Sequence, residues 1–313
     1  MTQGTSSKIA VDGVYYVVAN PSAKSGRGDS ALREVESRLK ARGVRPEIRR
    51  TQGPGDAARL AEEATRAGAA CVVALGGDGM IHNVLNGILA ARAESPPVLG
   101  VVPVGTGNDY AKMLGVPSNE PERAAEVLLA GTPRAVDVGR IEGAARGPEY
   151  FCNNVGLAFL AEANAAHERN RRLPGRMSYA LGGLAAWFRW RAELLTVNVD
   201  DVSLQGRFMA VHVAIGSYCG GGVNLTPEAS LEDGQFHVCV VAECGKVGGM
   251  LKWPRISRGE PTPDVTVLKG KQVSVHGPRD MLLHADGEVR TVPTGVLELT
   301  LLPGALRVLH AAR

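Results

Sequence analysis

The run Gly76-Gly77-Asp78-Gly79-Met80 joins an apolar stretch, 69–75, to a segment, 81–89, whose apolar residues fall at helical spacing. Glycines at a strand-to-helix turn let the backbone approach a ligand closely. The helix start beyond them offers unpaired N–H groups to an anion. A carboxylate beside phosphates repels them unless a cation sits between. This turn therefore points to a phosphate with a metal ion, most simply a magnesium nucleotide. The alternative is a tight turn in which Asp78 only caps the helix, but two glycines before it exceed what a cap needs.

Two more polar turns follow apolar runs. Asn20 to Gly28 carries Pro21, Ser22 and Lys24 and sits where α/β sheets place ligands. It lacks the GxxxxGK(S/T) pattern of a Walker loop, and an ordinary polar turn is its alternative. Pro103 to Asp109, PVGTGND, is no dinucleotide fingerprint, because Tyr110 stands where a third glycine belongs. Asp286-Gly287-Glu288 closes the apolar run 281–284; alone it suggests a DG hairpin with Glu288 in solvent.

These turns need elements to hold them. Patterning predicts strands at 13–19, 45–50, 69–75 and 98–102. It predicts helices at 30–42, 56–67 (with Asp56 as N-cap), 80–92 and about 122–130. Such alternation implies an open, mostly parallel α/β sheet. Past about 137 the rhythm changes to short strands: 136–142, 149–155, 194–200, 207–215, 235–242, 265–267, 271–276, 281–284, 296–302 and 305–309. A helical insertion is expected over 178–191, and a surface loop over 254–264.

Bulk composition narrows the function. The 313 residues suffice for about two domains. A net charge of +3 and 4% aromatic residues argue against a nucleic-acid surface. Five cysteines without CxxC pairs, Cys71 and Cys239 inside apolar runs, fit a reducing cytoplasm. No signal peptide is expected, and no uncharged apolar run reaches the roughly 18 residues a span needs. The seven histidines show no ligand spacing.

With both halves read, the chain resembles the bacterial diacylglycerol kinase and sphingosine kinase family of lipid kinases. The matching pieces occur in order. They are Asn20-Pro21 with Gly26 and Gly28, Thr51, the GGDG turn with Asn86-Gly87, the PVGTGND turn and Asp137. Then come 153–156, Gly220-Gly221-Gly222, 227–234 (PEASLEDG) and Asp286-Gly287-Glu288. Met80, Asn83 and Leu160 replace the Thr, Glu and Asp usual in the family. The resemblance implies an α/β nucleotide-binding domain (1–137 plus 300–313), a β-sandwich lipid-substrate domain (138–299) and an active cleft between them.

It also implies roles. Asn20, Pro21, Ser22, Lys24, Thr51, Gly76, Gly77, Gly79 and Thr106 would hold ATP, with Mg2+ held through Asp78, Asp109 and Asp137. Glu288 would take the proton from the substrate hydroxyl, since a hydroxyl is a poor nucleophile at neutral pH. Asp286 would orient Glu288 or its metal. Ser230, Asp233 and Gln235 would hold a second, structural cation through oxygens; an ion-free β-turn is the alternative.

The expected reaction is phosphoryl transfer from ATP to a lipid hydroxyl, diacylglycerol first, by a cytoplasmic protein that touches the inner membrane face peripherally. The segment 167–191, with arginines, Trp187, Phe188 and Trp190, is either a lipid-facing lip or a core helix. Oligomeric state stays open, a homodimer included. Rival readings are an NAD kinase-like enzyme, which shares GGDG, and a catalytically impaired nucleotide- or lipid-binding protein.

Overall fold

The computed structural model describes residues 12–21, 27–169, 183 and 186–311. The chain forms two compact units, one of Met1–Val136 with Ala305–Arg313 and one of Asp137–Gly304.

In the first unit, β1 (Tyr15–Ala19), β2 (Glu47–Arg50), β3 (Cys71–Gly76) and β4 (Val98–Pro103) are parallel, in the order β2-β1-β3-β4. The last strand, β15 (Val296–His310), adds its C-terminal part beside β4 through Val308 and Leu99. Strands β1, β3 and β4 are buried along their whole length, so their apolar runs are continuous rather than alternating. The connecting helices are α1 (Arg27–Ala41), α2 (Asp56–Arg66), α3 (Asp78–Ala90), α4 (Asp109–Met113) and α5 (Pro121–Ala130). Helix α2 packs on α3, and α1 on α5.

One close contact sets the α2–α3 spacing. A Cβ on Gly87 would lie 2.1 Å from the carbonyl oxygen of Ala58, so only glycine lets α3 lie this near. Asp56 is not the N-cap: Gly55 takes that place in a left-handed conformation. The Asp56 carboxylate instead accepts the N–H groups of Gln52 and Gly53, tightening the loop before the helix. Helix α4 carries no sequence expectation; at five residues it is too short for a periodic signal.

The second unit is a β-sandwich. Its antiparallel strands include β7 (Asn154–Ala158), β8 (Glu193–Val199), β9 (Val202–Ala214), β10 (Phe236–Ala242), β11 (Val265–Gly270), β12 (Gln272–His276), β13 (Met281–Ala285) and β14 (Glu288–Val292). The early part of β9 pairs with β8, and its later part with β7 and β10, so one long strand serves two partnerships. Strands β5 (Thr132–Glu142) and β6 (Glu149–Phe151) pair as a hairpin.

Four sequence expectations change here. The two strands expected at 296–302 and 305–309 are one strand, β15. Strand β14 follows the DG turn. Helix α6 (Phe159–Arg169) follows β7. Helix α7 (Lys246–Ile256) occupies the start of the expected loop, because Pro254 sits in its last turn without breaking it. Half of the expected helix at 178–191 lies outside the described residues. In its described part, Trp187 and Trp190 are buried against Phe159, with ring centroids 5.1 and 6.2 Å apart, while Phe188 faces outward. The core reading thus holds for the two tryptophans.

Candidate active site

The parallel order β2-β1-β3-β4 fixes where a ligand goes. From β1 the chain steps to β2 on one side, and then to β3 and β4 on the other. The crevice at this switch point opens at the carboxyl ends of β1 and β3. Those ends are Asn20 and Gly76-Gly77, and the Asn20 N–H donates to the Leu75 carbonyl across the gap at 3.4 Å. Thr51, at the end of β2, donates its N–H to the Ala19 carbonyl at 2.9 Å, with its hydroxyl 3.3 Å from the same oxygen. A Cβ on Gly28 would lie 2.2 Å from the Asn20 carbonyl oxygen, so the start of α1 presses on the same strand end. Ser22 and Lys24 lie outside the described residues.

The two glycine turns touch. A Cβ added to Gly105 would stand 2.4 Å from the Gly77 Cα. Gly77 is the N-cap of α3, so the positive end of that helix lies at this contact. Asp78 occupies the first helical position, and its Oδ1 accepts the Tyr110 N–H at 3.3 Å, tying the second turn to the first. Asn108 adopts a left-handed conformation and donates to the Gly105 carbonyl at 3.0 Å. Its Oδ1 is buried with no hydrogen-bond partner among the described residues. An orphaned acceptor at a phosphate-sized turn suits a hydroxyl or a metal-bound water. The sequence reading passed over Asn108; its isolated orphan oxygen is visible only in three dimensions. Thr106 is exposed at the tip of the turn.

The departures at 80 and 83 have local explanations. The Met80 side chain covers Gly76, where a Cβ would lie 2.5 Å from the Met80 Cβ. Asn83 Nδ2 donates back to the Gly79 carbonyl at 2.6 Å, one helical turn earlier.

The other carboxylates divide. Asp109 is buried, and its Oδ1 pairs with Lys112 at 2.7 Å. Asp137 belongs to the second unit. Its two oxygens accept the N–H groups of Gly234 at 2.7 Å and Gly304 at 2.9 Å. It clamps the turn at 230–235, whose Leu231 carbonyl accepts the Asp137 N–H at 2.7 Å. In that turn Asp233 Oδ2 lies 2.8 Å from His237 Nε2, and Asp233 Oδ1 accepts the Gln235 N–H at 3.3 Å. The Ser230 carbonyl accepts the Asp233 N–H at 3.5 Å. These oxygens take part in the fold's own hydrogen bonds.

Asp286 and Gly287 form a two-residue hairpin between β13 and β14, with φ of 49° and 91° and Ala285 paired to Glu288. Positive φ at both positions is the type I′ pattern. The buried Asp286 carboxylate accepts three consecutive N–H groups, from Cys152, Asn153 and Asn154, at 3.0, 2.9 and 3.0 Å. Its role is to hold the hairpin on the 152–154 segment. Glu288 starts β14 with a quarter of its side chain exposed (26%), and lies 3.8 Å from the Arg290 guanidinium. Arg290 is buried and bound in two-pronged fashion by Glu149, at 2.7 and 3.1 Å. A carboxylate with a quarter of its side chain open to solvent, beside a cation fixed by a second carboxylate, is a group held in place yet reachable from outside.

Two neutral histidines lie behind this hairpin. His212 and His284 are register partners of Gly156 on opposite sides of β7. A Cβ on Gly156 would stand 2.2 Å from His284 Nε2. Burial lowers His212 to about 3, aided by His284, and His284 to about 4 despite the opposing pull of Asp286. Burial also pushes the Cys239 thiol, the register partner of His212, up to about 12.

Comparison with known proteins bears on both units. Residues 14–141 match the diacylglycerol kinase catalytic domain, and residues 153–310 match the YegS C-terminal NAD kinase beta sandwich-like domain. A diacylglycerol kinase of Bacillus subtilis is 29% identical over 279 residues, covering 87% of this chain and 88% of the relative. A YegS-like lipid kinase of Stenotrophomonas maltophilia is 30% identical over 294 residues, covering 90% of this chain and 92% of the relative. A crystal structure described as a diacylglycerol kinase from Bacillus anthracis superposes with a TM-score of 0.74 at 21% identity. It covers 97% of this chain and 98% of that one, a likeness of fold.

Proposed function

This chain belongs to the lipid kinase family that joins a diacylglycerol kinase catalytic domain to a YegS-type C-terminal domain, and from that premise we propose that its acceptor is diacylglycerol. The protein is a phosphotransferase with an alcohol acceptor, and its family uses ATP. The finer reading is that the γ-phosphoryl group of ATP passes to the free hydroxyl of diacylglycerol, giving phosphatidic acid and ADP.

The observation that carries this reading is the contact between Gly77 and Gly105 at the switch point, with the start of α3 beside it. Two glycine turns without side chains at their contact leave backbone N–H groups bare to a polyphosphate. Asn20, Thr51 and Thr106 border the phosphate chain and add polar contacts. Magnesium, when bound, offsets phosphate charge. The oxygen donors suit that hard cation: Asp78 would hold it, and Asn108 Oδ1 would accept from its water. Asp109 acts from behind, through Lys112.

Glu288 of the second unit takes the proton of the acceptor hydroxyl while the new oxygen–phosphorus bond forms. The bond between the γ-phosphorus and the bridging oxygen breaks, and that oxygen leaves on ADP. Arg290 and Asp286 position Glu288, the first by its charge and the second through the backbone of the hairpin.

The test supplies ATP and magnesium with either diacylglycerol in detergent micelles or NAD. Phosphatidic acid, identified by mass, is expected from the first and no phosphorylated product from the second. Phosphorylated NAD with no lipid product would overturn the reading.

A further inference from the structure

Helix α7 is apolar on both faces. Its inner face is covered. Ile256 is buried, and Trp253 stacks edge-on against Phe159 and Trp187, with centroids 5.6 and 6.5 Å apart. Gly249 admits the Trp187 ring so closely that a Cβ there would lie 2.8 Å from it. The outer face is bare. Val247 is 75% exposed, Met250 49% and Leu251 76%, and Pro254 is exposed beyond them. Their spacing, i, i+3, i+4 and i+7, is that of a single stripe on a helix. Phe188, 62% exposed, adjoins it, because Lys246 Nζ donates to the Phe188 carbonyl. A soluble surface rarely gathers large apolar side chains into one patch without a partner for it.

The charges around the stripe are mostly positive. Helix α7 carries Lys246, Lys252 and Arg255 and no acidic residue. From 246 to 264 there are four cations against two acids: Asp264 pairs with Lys252 at 2.6 Å, and Glu260 is shared by Arg255 and Arg258. Exposed Arg189 and Arg191 follow Phe188 in the chain. An apolar ridge rimmed by cations is the pattern of a segment lying in the headgroup region of an anionic bilayer. A second copy of the chain is disfavoured as occupant, because a two-fold pairing through this patch would bring the same cations together.

We propose that the outer face of α7, with Phe188, docks the protein on anionic lipid bilayers. Val247, Met250, Leu251 and Phe188 enter the acyl boundary, and the surrounding lysines and arginines meet the headgroups. The choice of a lipid surface rests in part on the lipid-kinase reading. None of these side chains belongs to the GGDG turn or to the Glu288 hairpin, so substituting them tests docking and leaves the chemistry alone.

The experiment floats the full-length protein with vesicles of phosphatidylcholine, with or without phosphatidylglycerol. Binding is expected only with the anionic lipid, and it weakens as salt rises. The variant V247S/M250S/L251S should lose about tenfold or more of its binding, with an unchanged melting temperature and unchanged turnover on a short-chain, water-soluble diacylglycerol. Hydrogen exchange on the unaltered protein is a second readout: backbone amides of 246–256 should gain protection when anionic vesicles are added. Equal vesicle binding by variant and wild type would overturn the proposal. So would equal binding to neutral vesicles, or a variant that dissociates a dimer while still binding vesicles. Vesicle binding without phosphoryl transfer to any diacylglycerol would instead overturn the diacylglycerol reading and leave this proposal standing.

Discussion

The carboxylate of Asp286 accepts the backbone N–H of Asn153 at 2.9 Å, although the two residues are 133 positions apart. With Cys152 and Asn154 also bound, one side chain fixes the end of β13 to the start of β7. Asp286→Ala would leave three buried N–H groups without an acceptor, at a cost of about 3 kcal/mol or more. It should therefore lower both stability in urea and turnover per folded molecule. Asp286→Asn, which keeps one acceptor oxygen, should recover part of the stability. If the alanine variant kept full stability, the clamp described here would be wrong.

Arg290 bears on Glu288 through charge, and Glu149 holds Arg290. Glu149→Gln would leave a buried guanidinium poorly paired, with a loss of about 3–5 kcal/mol. The double change Glu149→Leu with Arg290→Met should recover much of that stability without recovering activity. Denaturation curves and turnover measured on the same preparations separate the two effects.

Gly87 lies in the first unit away from the ligand crevice, yet it belongs to the run that carries the family resemblance. Its task is packing: a methyl group there meets the Ala58 carbonyl at 2.1 Å. Gly87→Ala should cost about 1–3 kcal/mol through overpacking. ATP affinity per folded molecule should change little. A large loss of nucleotide affinity with intact stability would place Gly87 in the site instead.

Acid should destabilise the second unit before it protonates ordinary carboxylates. His212 and His284 have unperturbed values of 6.5, lowered by burial to about 3 and about 4. Below pH 6.5 the unfolded chain takes up protons that the folded chain refuses. Stability is therefore full above about 6.5 and falls as the pH drops towards 4, by at most about 1.4 kcal/mol per pH unit for each histidine. Melting temperature followed from pH 7.5 to 4.5 should show this slope, and His212→Leu should roughly halve it. A flat profile in the wild type would mean that both rings find protons or partners in the fold.

Much of the first unit was legible in the sequence, because buried parallel strands are continuous apolar runs and its turns are glycine-marked. The α/β class, the all-strand character of the second half and the placement of the GGDG turn at the start of a helix all follow from such local signals, whereas the β-sandwich arrangement came with the family resemblance. Helix α7 was not legible: its glycines and Pro254 resemble loop punctuation, and only Trp187 and Phe159 packing against it make it worth forming. Asp137 and Asp286 were recognisable as important, but their partners lie far along the chain. Gly304 is 167 positions from Asp137, and no local pattern reports such a bond. Asn108 was hidden for the same reason, since an orphaned oxygen exists only once the fold surrounds it.

The most direct measurement incubates the protein with labelled ATP, magnesium and a total bacterial lipid extract, with Glu288→Gln alongside, and identifies any labelled product by mass. The account predicts labelled phosphatidic acid from the wild type, and a signal lower by orders of magnitude from the variant although it melts at the same temperature. An unlabelled lipid fraction from the folded, ATP-binding wild type, or equal labelling by the variant, would contradict it.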